Sequence, residues 1–196
     1  MGRLLVVLAF MGASAFASHW IHLTGTYPIV NSSVDTLSNA TFSRKQSTNS
    51  YVASLAYYFE VGSRIALGAR YEYWLSDRRY DDAAGTTVTD QLSYQTVGAE
   101  LGLHGGNQRV FWLISGGVFY PVAAAAGAYS ATKSLEYQAR AQATIRFVRA
   151  VWLIFEGGYR LANLGNLTSG TATFLDSGAS LDLSGPFLSF GIAFHL

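Results

Sequence analysis

From Ser18 onward, apolar and polar residues alternate in eight stretches separated by polar or glycine-rich gaps. Alternation with a period of two is the side-chain pattern of a β-strand. After the N-terminal segment, no uncharged apolar run reaches the roughly 18 residues that a membrane-spanning helix needs. The predicted strands are His19–Val30, Tyr51–Phe59, Arg64–Leu75, Gln91–Leu103, Arg109–Val122, Leu135–Phe147, Val151–Leu161 and Pro186–Leu196. We therefore expect an all-β fold.

The gaps between these strands alternate between long and short. Residues 31–50, 76–90, 123–134 and 162–185 form long gaps, and residues 60–63, 104–108 and 148–150 form short ones. Ser177-Gly178 in the last long gap is a plausible hairpin tip. Both ends of the strand series lie on the short-gap side. This asymmetry predicts a single eight-stranded antiparallel up-and-down barrel over residues 18–196, with short turns at one end and long loops at the other.

The first 17 residues have the pattern of a signal peptide. Arg3 supplies a positive start, Leu4–Met11 an apolar core, and Ala15-Phe16-Ala17 a small-x-small cleavage site before Ser18. We expect residues 1–17 to be removed on export.

Charged residues share one face of several predicted strands. In Leu135–Phe147, charged, amide and hydroxyl side chains occupy every second position, and Tyr137, Ala139, Ala141 and Ile145 occupy the other face. If the apolar face points to lipid, the charges fill the barrel interior, where Arg and Glu should pair because a lone buried charge is costly. The expected interior ion-pair network comprises Arg64, Arg70, Glu72, Glu100, Glu136, Arg140, Arg146, Glu156 and Arg160.

The opposite placement, with the apolar face inward, would give a soluble lipocalin-like barrel. Lipocalins carry a Gly-x-Trp near the start of the barrel and usually disulfides, whereas Trp20 here follows Ser18-His19 and the chain has no Cys. The aromatic residues favour lipid, because they fall at two heights on the apolar face, as interfacial girdles require. Tyr27, Tyr51, Tyr73, Tyr120, Tyr137 and Tyr159 lie near the long-loop ends, and Phe59, Trp112, Phe147 and Phe194 near the short-turn ends.

The final stretch, LSFGIAFHL, alternates Leu188, Phe190, Ile192, Phe194 and Leu196 with small or polar residues. It resembles the terminal signal strand of Gram-negative outer-membrane β-barrels, although that family usually ends on Phe or Trp and this chain ends on Leu196. Together with the strand count and loop asymmetry, it makes the chain similar to small OmpA/OmpX/OmpW-like barrels.

The resemblance implies a location in the bacterial outer membrane, with short periplasmic turns and long external loops. It implies two kinds of partner: the outer-membrane assembly machinery, which reads the last strand, and the outer-membrane lipid with its lipopolysaccharide. It also implies an interior plugged by side chains, as in OmpA- and OmpX-type barrels. No periplasmic peptidoglycan-binding domain follows the predicted barrel.

Composition and motifs argue against other functions. The net charge of +1 gives no electrostatic case for nucleic acid, and the lack of Cys removes thiolate chemistry. The four histidines lie near the short-turn side, without a neighbouring nucleophile motif. Asp77, Asp81, Asp82 and Asp90 lack EF-hand spacing. We therefore expect no catalytic residues, no metal and no cofactor.

The leading hypothesis is a non-enzymatic envelope scaffold, or an adhesion or recognition protein that acts through its surface loops. The alternative is a narrow OmpW-like channel or binding site for small apolar solutes, with a mouth near Trp20, Trp74 and Phe119. Gln91–Leu103 keeps this alternative open, because Gln91, Ser93 and Gln95 are polar on the expected lipid face while Tyr94 points inward. That pattern fits a bulge, a strand end above the membrane, or a polar opening in the wall.

Overall fold

A computed structural model describes residues 18–28, 42–82, 87–126, 129–132, 134–169 and 181–196. The predicted signal peptide, residues 1–17, and the predicted hairpin tip, Ser177-Gly178, lie outside these ranges. The described part of the chain contains eleven strands: β1 (His19–Pro28), β2 (Phe42–Val61), β3 (Ile65–Asp82), β4 (Thr87–Gly106), β5 (Val110–Ala126), β6 (Tyr129–Thr132), β7 (Glu136–Arg146), β8 (Val151–Leu161), β9 (Asn163–Ser169), β10 (Leu181–Asp182) and β11 (Gly185–His195). Within these ranges, no helix is long and apolar enough to cross a membrane.

Eight of these strands close into an antiparallel barrel. The order around the wall is β1, β2, β3, β4, β5, β7, β8 and β11, and β11 pairs back onto β1 with Ile21 opposite Phe194. The short strands β6, β9 and β10 extend the sheet at the long-loop end. The prediction of an all-β, eight-stranded antiparallel barrel is confirmed.

The short turns lie at one end of the barrel and are closed by local hydrogen bonds. Gly62 adopts a positive φ of 68°, which favours glycine, in the turn between β2 and β3. In the turn between β4 and β5, Asn107 Oδ1 accepts the backbone N–H groups of Arg109 and Val110 at 2.8 and 3.0 Å. Between β7 and β8, the N–H groups of Phe147 and Val148 both bond the Val151 carbonyl.

Four strands, β2 to β5, are longer than the sequence predicts, and the difference is greatest for β2, β3 and β4. β2, β3 and β4 contain 20, 18 and 20 residues, whereas about 9–11 residues cross a bilayer. Residues 42–50, 76–82 and 87–90 were expected in loops but are paired strand, with Asp81 opposite Thr87. The expectation was wrong because antiparallel backbone pairing needs no apolar side chains where a hairpin rises above the membrane.

Side chains alternate between the outer wall and the interior along each barrel strand. In β7, alternate residues from Glu136 to Thr144 are buried, and those between them are exposed. Arg70, Arg140 and Glu156 are buried inside the barrel, while Leu67 and Ile145 are exposed on its wall. The polar face therefore lines the interior and the apolar face covers the outside.

Candidate functional site: the filled barrel interior

Seven charged side chains meet near the middle of the barrel interior. We call them the central ion-pair cluster: Arg70, Glu72, Glu100, Glu136, Arg140, Glu156 and Arg160. All are buried, and they come from β3, β4, β7 and β8. Inward positions on strands that face one another across a narrow barrel bring these groups together.

Glu156 is held by two arginines. Arg140 Nη1 donates to its Oε1 at 2.6 Å, and Arg70 Nη2 donates to its Oε2 at 2.9 Å. The Nε atoms of both arginines also lie 3.1 Å from Glu100 Oε1. Arg70 and Arg140 thus share two carboxylates, which compensates two guanidinium charges in a site away from water.

The part of the cluster nearer the long loops is built on Glu72. Its two oxygens accept hydrogen bonds from Arg140 and Arg160. Arg160 Nε also lies 2.7 Å from Glu136 Oε1, and Tyr94 donates to Glu136 Oε2 at 3.0 Å. Glu136 therefore has a single guanidinium partner among the described residues, and its other hydrogen bonds come from neutral donors.

Among the described residues, the cluster has four carboxylates and three guanidinium groups. It carries one more negative than positive charge when every group is ionised. Glu136 has the fewest cationic partners, so it is the carboxylate whose charge the cluster compensates least.

Sequence analysis missed the neutral members of this network. Tyr58 donates to Glu100 and accepts from Arg70 Nη2 at 2.9 Å. Ser54 accepts from Arg70 Nη1 at 3.1 Å, and Gln138 donates to Glu72 at 3.0 Å. Each of these residues occupies an inward position of its strand, so the alternation could have identified it. Selecting only charged residues left them out.

Two residues of the expected network lie elsewhere. Arg64 is exposed in the turn after β2, and Arg146 is exposed at the short-turn end of β7. Arg146 donates to the backbone carbonyls of Gln108 and Arg149 at 3.5 and 3.1 Å. The prediction was wrong for both because the alternation indicates a face of the strand but not a height, and these positions lie where the barrel wall ends.

Aromatic rings close the short-turn end of the interior. We call Trp20, His104, Phe111 and Trp152 the aromatic plug. Trp20 stacks on Phe111 at a centroid distance of 4.8 Å and meets Trp152 edge-on at 5.2 Å, and His104 stacks on Phe111 at 5.4 Å. Trp20 Nε1 donates to Glu60 at 2.8 Å. The expected mouth near Trp20, Trp74 and Phe119 is therefore wrong, because Trp20 pairs with Tyr58 at the short-turn end and Trp74 pairs with Tyr94 in the other half.

Two further aromatic rings pack against the central ion-pair cluster. The guanidinium carbon of Arg140 lies 4.8 Å from the Phe187 ring centroid and 5.8 Å from that of Phe119. Inward glycines make room for these rings, since a Cβ on Gly98 would overlap Phe119 and one on Gly158 would overlap Phe187. Arg160 packs 4.3 Å from the Trp74 centroid. Rings and ion pairs thus fill the interior together.

The aromatic residues expected in the girdles all lie on the outer wall. Tyr27, Tyr51, Tyr120, Tyr137, Tyr159, Trp112 and Phe147 are exposed, and Tyr73, Phe59 and Phe194 are half-buried. The register places the tyrosines toward the long loops, with Tyr51 opposite Leu75 and Tyr73 opposite Gln95. Phe59, Trp112, Phe147 and Phe194 lie toward the short turns. Two heights on an apolar wall suit the two interfaces of a bilayer.

The expected assembly strand coincides with β11. Leu188, Phe190, Ile192 and Leu196 point outward, and Phe194 is half-buried on the same face. Ser189 and Ala193 are fully buried, and Ser189 exchanges a 2.7 Å hydrogen bond with Thr26 of β1. β11 therefore joins the first strand to the rest of the wall and presents a continuous apolar face.

The sequence predicts an irregularity in the wall around Gln91–Leu103, but the irregularity lies in the neighbouring strand, β5. β4 alternates without interruption, with Tyr94 buried and Gln95 on the outer face. Its pairing with β5 shifts register between Gln95, which lies opposite Ala123, and Thr96, which lies opposite Pro121. Proline cannot donate to a ladder and is common at such bulges.

The histidines lie in the half of the barrel nearest the short turns. His19 bonds Tyr57 at 2.5 Å, His195 bonds Ser18, His104 belongs to the aromatic plug, and His22 is buried beside Tyr58. The described residues contain no group of three or more His, Asp or Glu side chains placed to hold a metal ion.

No protein-family model matches the sequence, and no curated protein is detectably similar to it. Solved structures do share its fold. The outer membrane protein OprG from Pseudomonas aeruginosa superposes with a TM-score of 0.67 at 8% identity, over 92% of this chain and 96% of that one. Neisserial surface protein A superposes with a TM-score of 0.58 at 12% identity, over 91% and 97% of the two chains.

At these identities the similarity shows the fold. Taken with the apolar outer wall and the charged interior, it defines the class: a small eight-stranded transmembrane β-barrel. The chain shares the fold of these outer-membrane barrels, which is the fold that the sequence resemblance indicated.

Proposed function

We propose that this protein is a non-enzymatic outer-membrane scaffold with an interior plugged by its own side chains, which acts by presenting external structure for envelope integrity, adhesion or recognition. The observation that supports the proposal is the filling of the interior. The aromatic plug, the central ion-pair cluster and the Phe119 and Phe187 rings together fill the barrel interior.

A plugged interior suits a scaffold better than a pore. An eight-stranded barrel is just wide enough for its own side chains. Opening a path through the interior would separate Arg70 and Arg140 from Glu156 and leave these charged groups without their partners. Breaking one buried pair by removing a partner costs about 3–5 kcal/mol, so a steadily open state is disfavoured.

The long hairpins support a role in surface recognition. β2, β3 and β4 continue their pairing as far as Phe42 opposite Asp82 and Asp81 opposite Thr87. With two register shifts in the β2–β3 ladder, these paired strands present preformed structure above the bilayer. Preformed structure lowers the ordering cost that a binding surface must overcome.

Two measurements on the folded barrel test this proposal. A folded barrel should migrate differently on a gel before and after boiling, and in planar bilayers it should show no large, steady conductance. If protein that changes its gel migration on boiling also forms stable channels, the interior is not plugged. If its migration does not change on boiling, the chain does not fold as a barrel.

The second candidate is a binding site or narrow path for small apolar solutes. A register shift in the β4–β5 ladder beside Pro121 supports it, and the buried rings of Tyr94 and Phe119 come from the same two strands. Saturable binding of a fluorescent alkyl probe, lost when Phe119 is replaced by Ser, would favour this candidate. Binding that is linear in probe concentration would reflect partition into detergent and count against it.

We also propose the partners that the fold requires. The outer wall needs outer-membrane lipid and lipopolysaccharide around it, and β11 presents the apolar face that the assembly machinery would read.

A further inference from the structure

Two short turns at the periplasmic end form a groove with a basic rim. The turns follow β4 and β7, and they lie side by side because β5 pairs with β7, with Val110 opposite Ile145. The groove has a volume of about 700 Å³, and Arg109, Arg146 and Arg149 line it together with Val110, Ile145 and Phe147.

One arginine holds the groove together and two are left on its rim. Arg146 donates to the carbonyls of Gln108 and Arg149, one in each turn, and its backbone N–H bonds the Arg109 carbonyl at 2.9 Å. Arg109 and Arg149 are exposed. Within the described ranges, no carboxylate forms an ion pair with any of these three arginines.

The walls of the groove are apolar and continuous with the lipid-facing surface. Val110 and Ile145 are outward residues of β5 and β7, and Phe147 is 70% exposed at the start of the turn. The site therefore combines positive charge at the water boundary with an apolar surface that runs into the membrane. This is the chemistry of a lipid with an anionic headgroup.

We propose that this groove binds an anionic phospholipid of the periplasmic leaflet, with its phosphate between Arg109 and Arg149 and an acyl chain along Val110, Ile145 and Phe147. An acidic protein would complement the charge equally well. Such a protein would not contact apolar residues that face into the bilayer, so the observations favour the lipid. This inference does not depend on the scaffold role proposed above.

Native mass spectrometry of the folded barrel in detergent tests the proposal, with palmitoyl-oleoyl phosphatidylglycerol and phosphatidylcholine as probes. We expect phosphatidylglycerol to be retained preferentially. R109Q and R149Q should each weaken its binding roughly fivefold, and the double variant roughly 25-fold, on the scale of about 1 kcal/mol per basic residue near a charged membrane surface. R64Q is the matched control, because Arg64 is exposed on a different short turn and does not line the groove.

The test has clear contrary results. Equal losses in R64Q and R109Q would show unspecific attraction to a basic end and overturn the proposal, as would unchanged binding in the double variant. Displacement of the lipid by millimolar inorganic phosphate would show that the apolar wall contributes nothing. Each variant is first checked for heat-modifiability, so that misfolded protein is excluded.

Discussion

Arg140 donates from Nη1 to Oε1 of Glu156 across 2.6 Å, and the other oxygen of the same carboxylate accepts from Arg70 at 2.9 Å. One buried carboxylate on β8 thus accepts hydrogen bonds from arginines on β7 and β3. The strand β7 is the neighbour of β8, whereas β3 lies elsewhere around the wall, so the Glu156–Arg70 pair ties the barrel together across its interior.

Glu156→Gln should destabilise the barrel strongly. The amide removes the charge that two guanidinium groups share and directs an N–H toward an arginine donor. Breaking a buried pair of this kind costs about 3–5 kcal/mol. Urea unfolding in lipid vesicles, followed by tryptophan fluorescence, measures the loss, and a change below about 1 kcal/mol would contradict the assigned role of Glu156.

Glu136→Gln, the same substitution in the same cluster, should be nearly neutral. Its Oε1 could still accept from Arg160, and its amide could donate to the Tyr94 hydroxyl, which would reverse its role. The change also removes the one negative charge that the described cluster leaves uncompensated. We expect a stability within about 1 kcal/mol of the wild type in the same urea titration. A loss of stability as large as that of Glu156→Gln would show that the excess of one carboxylate over the guanidinium groups does not determine the stability of the cluster.

Gly98→Ala should be destabilising because the Phe119 ring occupies the space of the new methyl group. Overpacking of this type costs about 1–3 kcal/mol. Gly116→Ala is the control, since Gly116 faces outward and the nearest atom to its Cβ would be the Gln138 carbonyl oxygen at 3.8 Å. If Gly98→Ala costs as much in an F119L background as in the wild type, Phe119 is not the obstacle.

Replacing Phe194 and Leu196 with Asp should block membrane insertion, because both lie on the apolar face of the last barrel strand. Immunoblots of outer-membrane fractions measure the folded protein. His195→Asn changes the residue between them without adding charge to the apolar face and should insert normally. Wild-type levels of the Asp variant would argue against recognition of this strand during assembly.

Alternation predicted the two faces of the barrel because it follows directly from strand geometry. It correctly separated Arg140 from Ala141 and Glu156 from Phe155. It misplaced Arg64, which lies in the turn before β3, and Arg146, the last residue of β7, because the same parity continues to the end of the ladder and into the turns. It also could not show that Tyr58 would lie between Arg70 and Glu100, since that contact depends on the register of β2, β3 and β4, in which Gly68 lies between Tyr58 and Glu100.

The long-loop end was less predictable for a different reason. A lipid-facing wall imposes an apolar pattern, whereas paired strands above the membrane can be polar on both faces. Residues 76–82 therefore appeared as a charged loop in the sequence, although their backbone continues β3 opposite β4. The register shift between β4 and β5 could not be predicted from the sequence either, because an extra residue in β5 leaves the alternation of β4 unchanged.

The central claim is that the apolar wall faces lipid, and tryptophan quenching by brominated phospholipids tests it most directly. Of the four tryptophans, Trp112 is 44% exposed on the outer wall, whereas Trp20, Trp74 and Trp152 are at most 6% exposed inside the barrel. We predict that W112F abolishes most of the quenching and that W20F, W74F and W152F leave it intact. Undiminished quenching in W112F, with a loss in W20F or W152F, would place the buried face toward lipid and contradict the account.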